Sequence, residues 1–397
     1  MREGLAINGG APVRTNLLPY GHQVIDDVDI HAVIKVLRGE WLTTGPTVEA
    51  YERAFADYVS AQHAIAFSSG TAALHAAVSA AGVGAGDEVI TTPMTFAATA
   101  NAALYCGARP VFADVQGDTG NIDPDAVESC MTSKTRAILP VDYAGQPADL
   151  DALAAIAERH GVPVIEDAAH ALGAKRRRQR VGAISTMTIF STHPVKHITT
   201  GEGGMVTTND TGLAQRLRAF RNHGITTDAR TRGERGDWFY EMVLLGYNYR
   251  IPDILCALGL SQLAKLDRWL ARRRDIAEWY TMAFQEVPEV RPLTIRPECE
   301  SAWHLYPILL DTDRLAADRA TVFKALRAEG IGVNVHYIPV YWHPYYRDLG
   351  YSRGLCPVAE RMYEQLLTLP LWAGMTDADA ADVIAAVRKV VGVYRRT

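Results

Sequence analysis

With five cysteines in 397 residues and no CxxC pair among them, the chain has neither a disulfide framework nor a zinc site to organise it. The five are Cys106, Cys130, Cys256, Cys299 and Cys356, an odd number set mostly in apolar or helical surroundings. That pattern suits reduced thiols in a cytosolic protein. Long apolar runs are also missing. The most apolar stretch, residues 64–86, is built from Ala, Gly and Ser and broken by His75, so it fails as a membrane span. The opening "MREGLAINGGAPVRT" has no apolar signal region. Positive charge is not in excess: 40 Lys and Arg against 45 Asp and Glu leave a net charge of −5. This excludes a general polyanion binder such as a nucleic-acid protein but not a local anion site. The expectation is a cytoplasmic protein with neither nucleic acid nor membrane as partner.

What the chain does have is alternation. Between residues 60 and 210, short β-rich runs take turns with Ala- and Leu-rich segments of helical length. The strand candidates are "HAIAF" (63–67), "EVITT" (88–92), "PVFAD" (110–114), "RAILPV" (136–141), "VPVIE" (162–166), "MTIFS" (187–191) and "GMVTT" (204–208). Helices are predicted over 71–81, 95–106, 123–132 and 149–160, two of them with Asp at the start. Strands apolar on both faces and separated by helices predict an α/β fold with a seven-stranded, mostly parallel sheet. After residue 250 the texture changes. A helical region at 252–287 leads to strand-like runs at 301–310 and 331–340 around a helix at 317–329, then to helices near 357–368 and 377–391. The predicted division is an N-terminal arm and large domain over 1–250, and a linking helix with a smaller α+β domain over 251–397.

In open α/β sheets, ligands sit at the carboxyl ends of the strands. After "HAIAF" comes "SSGTAAL", which reads as a phosphate cradle at a helix start or as a plain helix cap. It is no Walker loop, since no GK[ST] follows. "GVGAG" at 82–86 precedes a strand, so it gives no Rossmann fingerprint. After "VPVIE", Asp167 and His170 follow a strand end; Asp167 reads as a buried carboxylate awaiting a cation or as a helix cap. "EVITTP" leads to Phe96, and "MTIFS" leads through Ser191 to "THPVK", with a single lysine, Lys196, before a glycine-rich turn. A phosphate cradle, a carboxylate, a flat aromatic ring and an amine together match pyridoxal 5′-phosphate. The carboxylate would keep the pyridine nitrogen protonated, and the lysine would hold the cofactor and shuttle protons. No metal is called for.

The motifs stand in the order SSGTAALH, PMTF, IEDAAHALGA, FSTHPVKHITTGEGGMVTTND and LGYNYRIPDILCALGLSQL. That order resembles the DegT/DnrJ/EryC1/StrS family of sugar aminotransferases, of aminotransferase fold type I, over nearly the whole chain. "GEWLTTGPTVEAYERAFADYV" (39–59) belongs to the likeness. The resemblance implies that Lys196 holds pyridoxal phosphate covalently, that Asp167 pairs with its ring nitrogen and that His170 lies near the ring. It places Phe96 on the ring face, where some relatives have Trp. Gly70, Thr71, Ala72 and Ser191 would hold the phosphate. "GYNYR" would come from the neighbouring subunit, bringing Asn248 to the phosphate and Arg250 to the donor carboxylate, which requires a homodimer with shared active sites. The donor so implied is L-glutamate or glutamine, and the acceptor a nucleotide-linked keto sugar.

Within the family, "HPVKHITTGEGGMVTTND", "RNHGI", "YEMVLLGYNYR" and "VHYIPVYWHPYY" are most similar to the PseC subgroup, which aminates C4 of a UDP-4-keto-6-deoxy-HexNAc on the way to pseudaminic acid. His197 stands where that subgroup is expected to have Pro, and Trp342 sits near the expected substrate loop. "LAINGGAPVRT" is similar to relatives that aminate cyclitols or antibiotic sugars, so a keto-cyclitol or antibiotic deoxysugar stays open as acceptor. A dehydratase or regulatory member stays open too. Such dehydratases usually replace the lysine by His, and Lys196 argues against them. His336 and Tyr337, with His343 and Tyr345, line the acceptor pocket or belong to a packed aromatic loop. The basic run "KRRRQR" (175–180) reads as a solvated hairpin rather than a pyrophosphate site.

Overall fold

The computed structural model describes residues 4–227 and 229–396. The strands of the first half are β1 (His63–Phe67), β2 (Glu88–Thr91), β3 (Arg109–Phe112), β4 (Thr135–Leu139) and β5 (Ile165–Asp167). A small hairpin follows, β6 (Lys175–Arg176) and β7 (Gln179–Arg180), then β8 (Met187–Ser191) and β9 (Gly204–Thr208). One ladder runs β1-β9-β8-β5 and another β3-β2-β4. Parallel bridges Ile138–Val164 and Val141–Asp167 join them. The result is a seven-stranded sheet in which only β9 runs against its neighbours. The mostly parallel α/β sheet read from the alternation is observed, as the fold type I resemblance also implied. β5 begins late because Pro163 cannot donate to a ladder; its carbonyl instead accepts from the Ile138 N–H.

The helix Gly70–Ala80 is buried nearly all round, which explains its run of small residues. It is capped by Ser69, whose hydroxyl accepts from the Ala72 N–H at 3.1 Å. Asp149 caps Leu150–His160 and also pairs with Arg176 at 2.6 Å. The basic run is therefore only partly the solvated hairpin predicted. Arg177 and Arg178 are exposed on the turn, but Arg176 is buried and is also ion-paired with Asp151 and Glu298.

The second half departs from the sequence reading in several places, and of the run 301–310 only Tyr306–Leu310 is a strand. The helical region 252–287 is two helices, Asp253–Leu263 and Leu266–Phe284; between them Lys265 turns aside to pair with Asp26 and Asp29. The run 331–340 is not a strand. It makes single bridges at Ile331 and Asn334, and its backbone serves side chains instead, the His336 carbonyl accepting from the Tyr143 hydroxyl. The helix expected over 357–368 stops at Gln365, where Leu366–Leu369 becomes a strand ending at Pro370. With β10 (Val290–Pro292), β11 (Cys299–Glu300) and β12 (Tyr306–Leu310) named in chain order, this last strand is β13. β10-β12-β13 forms an antiparallel sheet, and β11 pairs with β6. Leu5 and Leu18 of the N-terminal arm are buried in the core of this smaller sheet, with the helix Asp377–Tyr394. The helix Leu266–Phe284 reaches both cores, giving Trp269 to the large one and Tyr280 to the small.

Below the sheet's carboxyl edge lie two fully buried carboxyls, Asp142 and Glu166. Asp142 accepts from the Ala148 N–H at 2.9 Å and Glu166 from the Thr188 hydroxyl at 2.9 Å. The other oxygen of each lacks a donor unless one carboxyl keeps its proton and gives it to the other. Burial pushes both groups above the usual carboxylate range.

Candidate active site

Three strand ends build the site. β8 ends at Ser191, and the chain then folds back on itself. The Thr192 N–H donates to the Gly203 carbonyl at 3.0 Å, and the Thr192 and Thr200 hydroxyls meet at 2.6 Å. Gly201 has φ +80°, and a Cβ on Gly204 would stand 2.4 Å from the Ser69 carbonyl oxygen. Only glycine permits that approach. The close turn sets Lys196 inside the protein and brings Ser191 beside the helix start, where a Cβ on Gly70 would lie 3.1 Å from the Ser191 Cβ. Gly70 and Thr71 therefore begin a helix at the strand ends, where the first N–H groups have no carbonyl of their own helix to meet. The third N–H, of Ala72, is taken by the Ser69 cap.

Lys196 is half-buried, with its amine against polar groups. Its Nζ lies 3.4 Å from His304 Nε2. Burial pushes its amine down to about 8, with the Asp167 charge acting in the opposite direction. Asp167 closes β5, its Oδ2 accepting from the Thr99 hydroxyl at 2.7 Å and its Oδ1 from the Ala169 N–H at 3.1 Å. Thr99 is in turn joined to Thr95 at 2.7 Å. Burial raises the Asp167 carboxyl, while these two donors and Lys196 lower it. His170 is buried, with Nε2 3.0 Å from the Tyr337 hydroxyl and its ring 4.4 Å from that of His304. Burial holds His170 and His304 well below the ordinary imidazole range and His336 at about 3.

Phe96 is 64% exposed, an open ring 6.3 Å from that of Tyr337. Phe96, Asp167, His170, Lys196, His336 and Tyr337 thus form one connected set, with Ser191 and the 70–72 helix start along its edge. Trp342 and Tyr341 bond instead to Glu360, and Tyr345 is exposed, so the loop beyond residue 340 is held by Glu360 and by packing on Phe112 and its neighbours rather than by the set around Lys196. Asn248 and Arg250 are not brought in. Among the described residues, Asn248 bridges to Asn222 and Arg250 donates to the Asn222 side chain at 2.7 Å. Arg250 lines a separate cavity of about 600 Å³ with Arg216, Arg218, Arg221 and Arg230. Three residues of the site went unnoticed in the sequence: Thr99, His304 and Arg273. For Thr99 a signal existed, the Thr95/Thr99 pair at i,i+4 on a helix of small residues.

A mostly parallel sheet whose strand ends gather a half-buried amine, a buried carboxylate, a helix start and an open aromatic face defines the fold type I class of pyridoxal-phosphate-dependent transferases. Comparison with known proteins narrows the class. The model of the DegT/DnrJ/EryC1/StrS aminotransferase family matches residues 23–388, and the chain belongs to that family. The spore coat polysaccharide biosynthesis protein SpsC of Bacillus subtilis is 42% identical over 381 residues, 95% of this chain and 98% of that protein. Among solved structures, Helicobacter pylori PseC, an aminotransferase involved in the biosynthesis of pseudoaminic acid, matches with a TM-score of 0.89 and 32% identity. The match covers 96% of this chain and 100% of that one. The putative sugar aminotransferase Spr1654 of Streptococcus pneumoniae, in its PMP form, matches with a TM-score of 0.90 and 32% identity, covering 95% and 99%.

Proposed function

We propose that the protein is a sugar aminotransferase that moves an amino group from L-glutamate or glutamine to C4 of a UDP-4-keto-6-deoxy-HexNAc. The observation that carries the reading is the half-buried amine of Lys196, near enough to the buried Asp167 carboxylate at the sheet's carboxyl edge for each charge to act on the other. The similarity to PseC and SpsC supports an activated sugar as acceptor. His197, buried and 3.0 Å from the Ala302 carbonyl oxygen where the PseC subgroup is expected to have Pro, favours the second reading, a keto-cyclitol or antibiotic deoxysugar.

The residues present fit pyridoxal phosphate. The start of the helix 70–80 has no room for a side chain at Gly70 beside Ser191, Phe96 shows an uncovered ring, and Asp167 is a buried acid with a charge to balance. When bound, the cofactor supplies the electron sink for proton removal next to nitrogen. Gly70, Thr71 and Ser191 would hold its phosphate, the Ala72 N–H being engaged by the Ser69 hydroxyl, and Phe96 and His170 its ring. Asp167, oriented by Thr99 and Ala169, holds the proton at the ring nitrogen; that positive charge would favour the carboxylate and oppose its burial. Lys196 carries the proton at its Nζ. An amine lowered to about 8 is far better placed for proton transfer near neutral pH than a free lysine. Asn248 and Arg250 would act in a partner's site. The apolar segment before them, with Trp238 82% exposed and Met242, Val243 and Leu245 also open, supports a second copy of the chain as the partner.

Reconstituted with pyridoxal phosphate, the protein should change its visible absorbance on addition of L-glutamate or glutamine and recover it with the right keto sugar. A panel of nucleotide-linked keto sugars and keto-inositols identifies the acceptor. Asp167→Asn should keep the cofactor yet lose about 10²-fold or more in turnover. Near-native turnover in that variant would reduce Asp167 to a fold residue. No spectral response to either donor would sink the aminotransferase reading.

A further inference from the structure

We propose that His304 is the hydrogen-bond acceptor that positions the amine of Lys196, and that Arg273 fixes His304 in place for this task. The inference rests on the reading that Lys196 is the reacting amine. Among the described residues, His304 is the group within hydrogen-bonding distance of Lys196 Nζ, at 3.4 Å, from a segment 108 residues away. Other titratable groups face the amine from every side. They are Asp167 and His170 after β5, His197 on the lysine's own loop, His336 on the 331–340 segment and Arg273 on the linking helix.

The backbone around His304 is held in a costly arrangement. Trp303, just before it, has φ +50°, a left-handed conformation that non-glycine residues avoid unless their surroundings impose it. Arg273 imposes it. Its Nη1 donates to the carbonyls of Trp303 at 3.2 Å, His304 at 3.3 Å and Leu371 at 2.9 Å. Arg273 is fully buried, its Nε has no partner, and among the described residues it has no carboxylate. A buried cation kept without a counter-charge is poor use of an arginine for stability alone. It ties residues 303 and 304 to residue 371, and its charge adds a last contribution, after burial and the Lys196 charge, to keeping His304 neutral.

Neutrality decides the role. To accept at Nε2, His304 must carry its proton on Nδ1, which is buried and unpartnered. Taking a second proton would place an imidazolium against Lys196 and Arg273 with that Nδ1–H still unsatisfied. His304 therefore does not relay protons. It aims the amine, and the proton carried by Lys196 stays on Nζ until substrate takes it.

Competitive acetylation of the cofactor-free protein with trace acetic anhydride across pH 6–11, read at the Lys196 and Lys35 peptides, tests this. An acceptor favours the protonated amine, so in His304→Phe the Lys196 curve should move down by about half a pH unit or more while Lys35 stays put. His304→Gln, whose amide oxygen can accept, should return most of the shift. In the holoenzyme, His304→Phe should lower kcat about tenfold with little change in the glutamate KM, and Gln should restore part of it. An unmoved Lys196 curve in a folded Phe variant, or equal behaviour of Phe and Gln, overturns the proposal. Recovery of borohydride-fixed cofactor on another lysine would instead overturn the functional reading, and the acetylation shift would survive it.

Discussion

Lys196→Ala should bring transamination down to background, a loss of about 10⁴-fold or more. The amine is the group that both holds the cofactor and carries the proton. The other lysines with recorded ion pairs, Lys175, Lys265 and Lys389, are engaged with Glu300, Asp26 and Glu329 elsewhere. The fold should survive, because truncation removes a half-buried amine from a turn held by Thr192, Thr199, Thr200 and Gly203. Borohydride reduction of the native holoenzyme followed by peptide mapping should place the cofactor on the Lys196 peptide. Label on a different lysine, or substantial turnover by the alanine variant, would remove Lys196 from its role.

Mixing two dead proteins should restore activity. Lys196→Ala subunits lack the amine, and Asn248→Ala/Arg250→Ala subunits lack the groups proposed for the partner's site. A hybrid dimer then holds one site with both defects and one with neither. Under closed two-fold symmetry, random pairing gives roughly half hybrids and therefore roughly a quarter of native activity. Co-expression avoids slow subunit exchange through a large interface. Hybrids shown to have formed yet remaining inactive would return Asn248 and Arg250 to their own chain, where Asn222 already engages Arg250.

Much of this site could be read from the sequence because its parts follow strands in order. β1, β8 and β9 match the expected runs end to end; Gly70 comes soon after β1 and Lys196 after β8, while Asp167 is the last residue of β5. Local composition failed where distant partners decide the outcome. "IGVNVHYIPV" has a strand's composition, but the Leu18 backbone, the Tyr143 hydroxyl and Thr368 claim its polar groups singly. "LLTL" at 366–369 looks like the end of a helix until β12 lies beside it. Arg176 looks like one basic residue among several until Asp149, Asp151 and Glu298 surround it. His304 and Arg273 were invisible for the same reason, since their meaning comes from contacts across the junction of the two cores.

Asp142 and Glu166 have a consequence that reaches past catalysis: in the fold this pair holds a proton at pH values where the same two acids, in the unfolded chain, hold none. In the unfolded chain both acids titrate in the ordinary carboxylate range, near 4. In the fold, the pair keeps one proton between them well above that range. The extra stability of the protonated pair is full at the acid end of this window, and it drains as pH rises towards the pair's raised value. One excess bound proton corresponds to a loss of about 1.4 kcal/mol in unfolding free energy per pH unit. Asp142→Asn gives Glu166 a permanent N–H donor and needs no such proton. Urea unfolding from pH 5 to 8 should show the stability of the wild type falling relative to that of this variant, the difference growing with pH. Parallel curves would mean that the two carboxyls have found separate donors. If that growing difference is seen, the alkaline limit of this enzyme is set beneath its sheet, by two acids that never meet substrate.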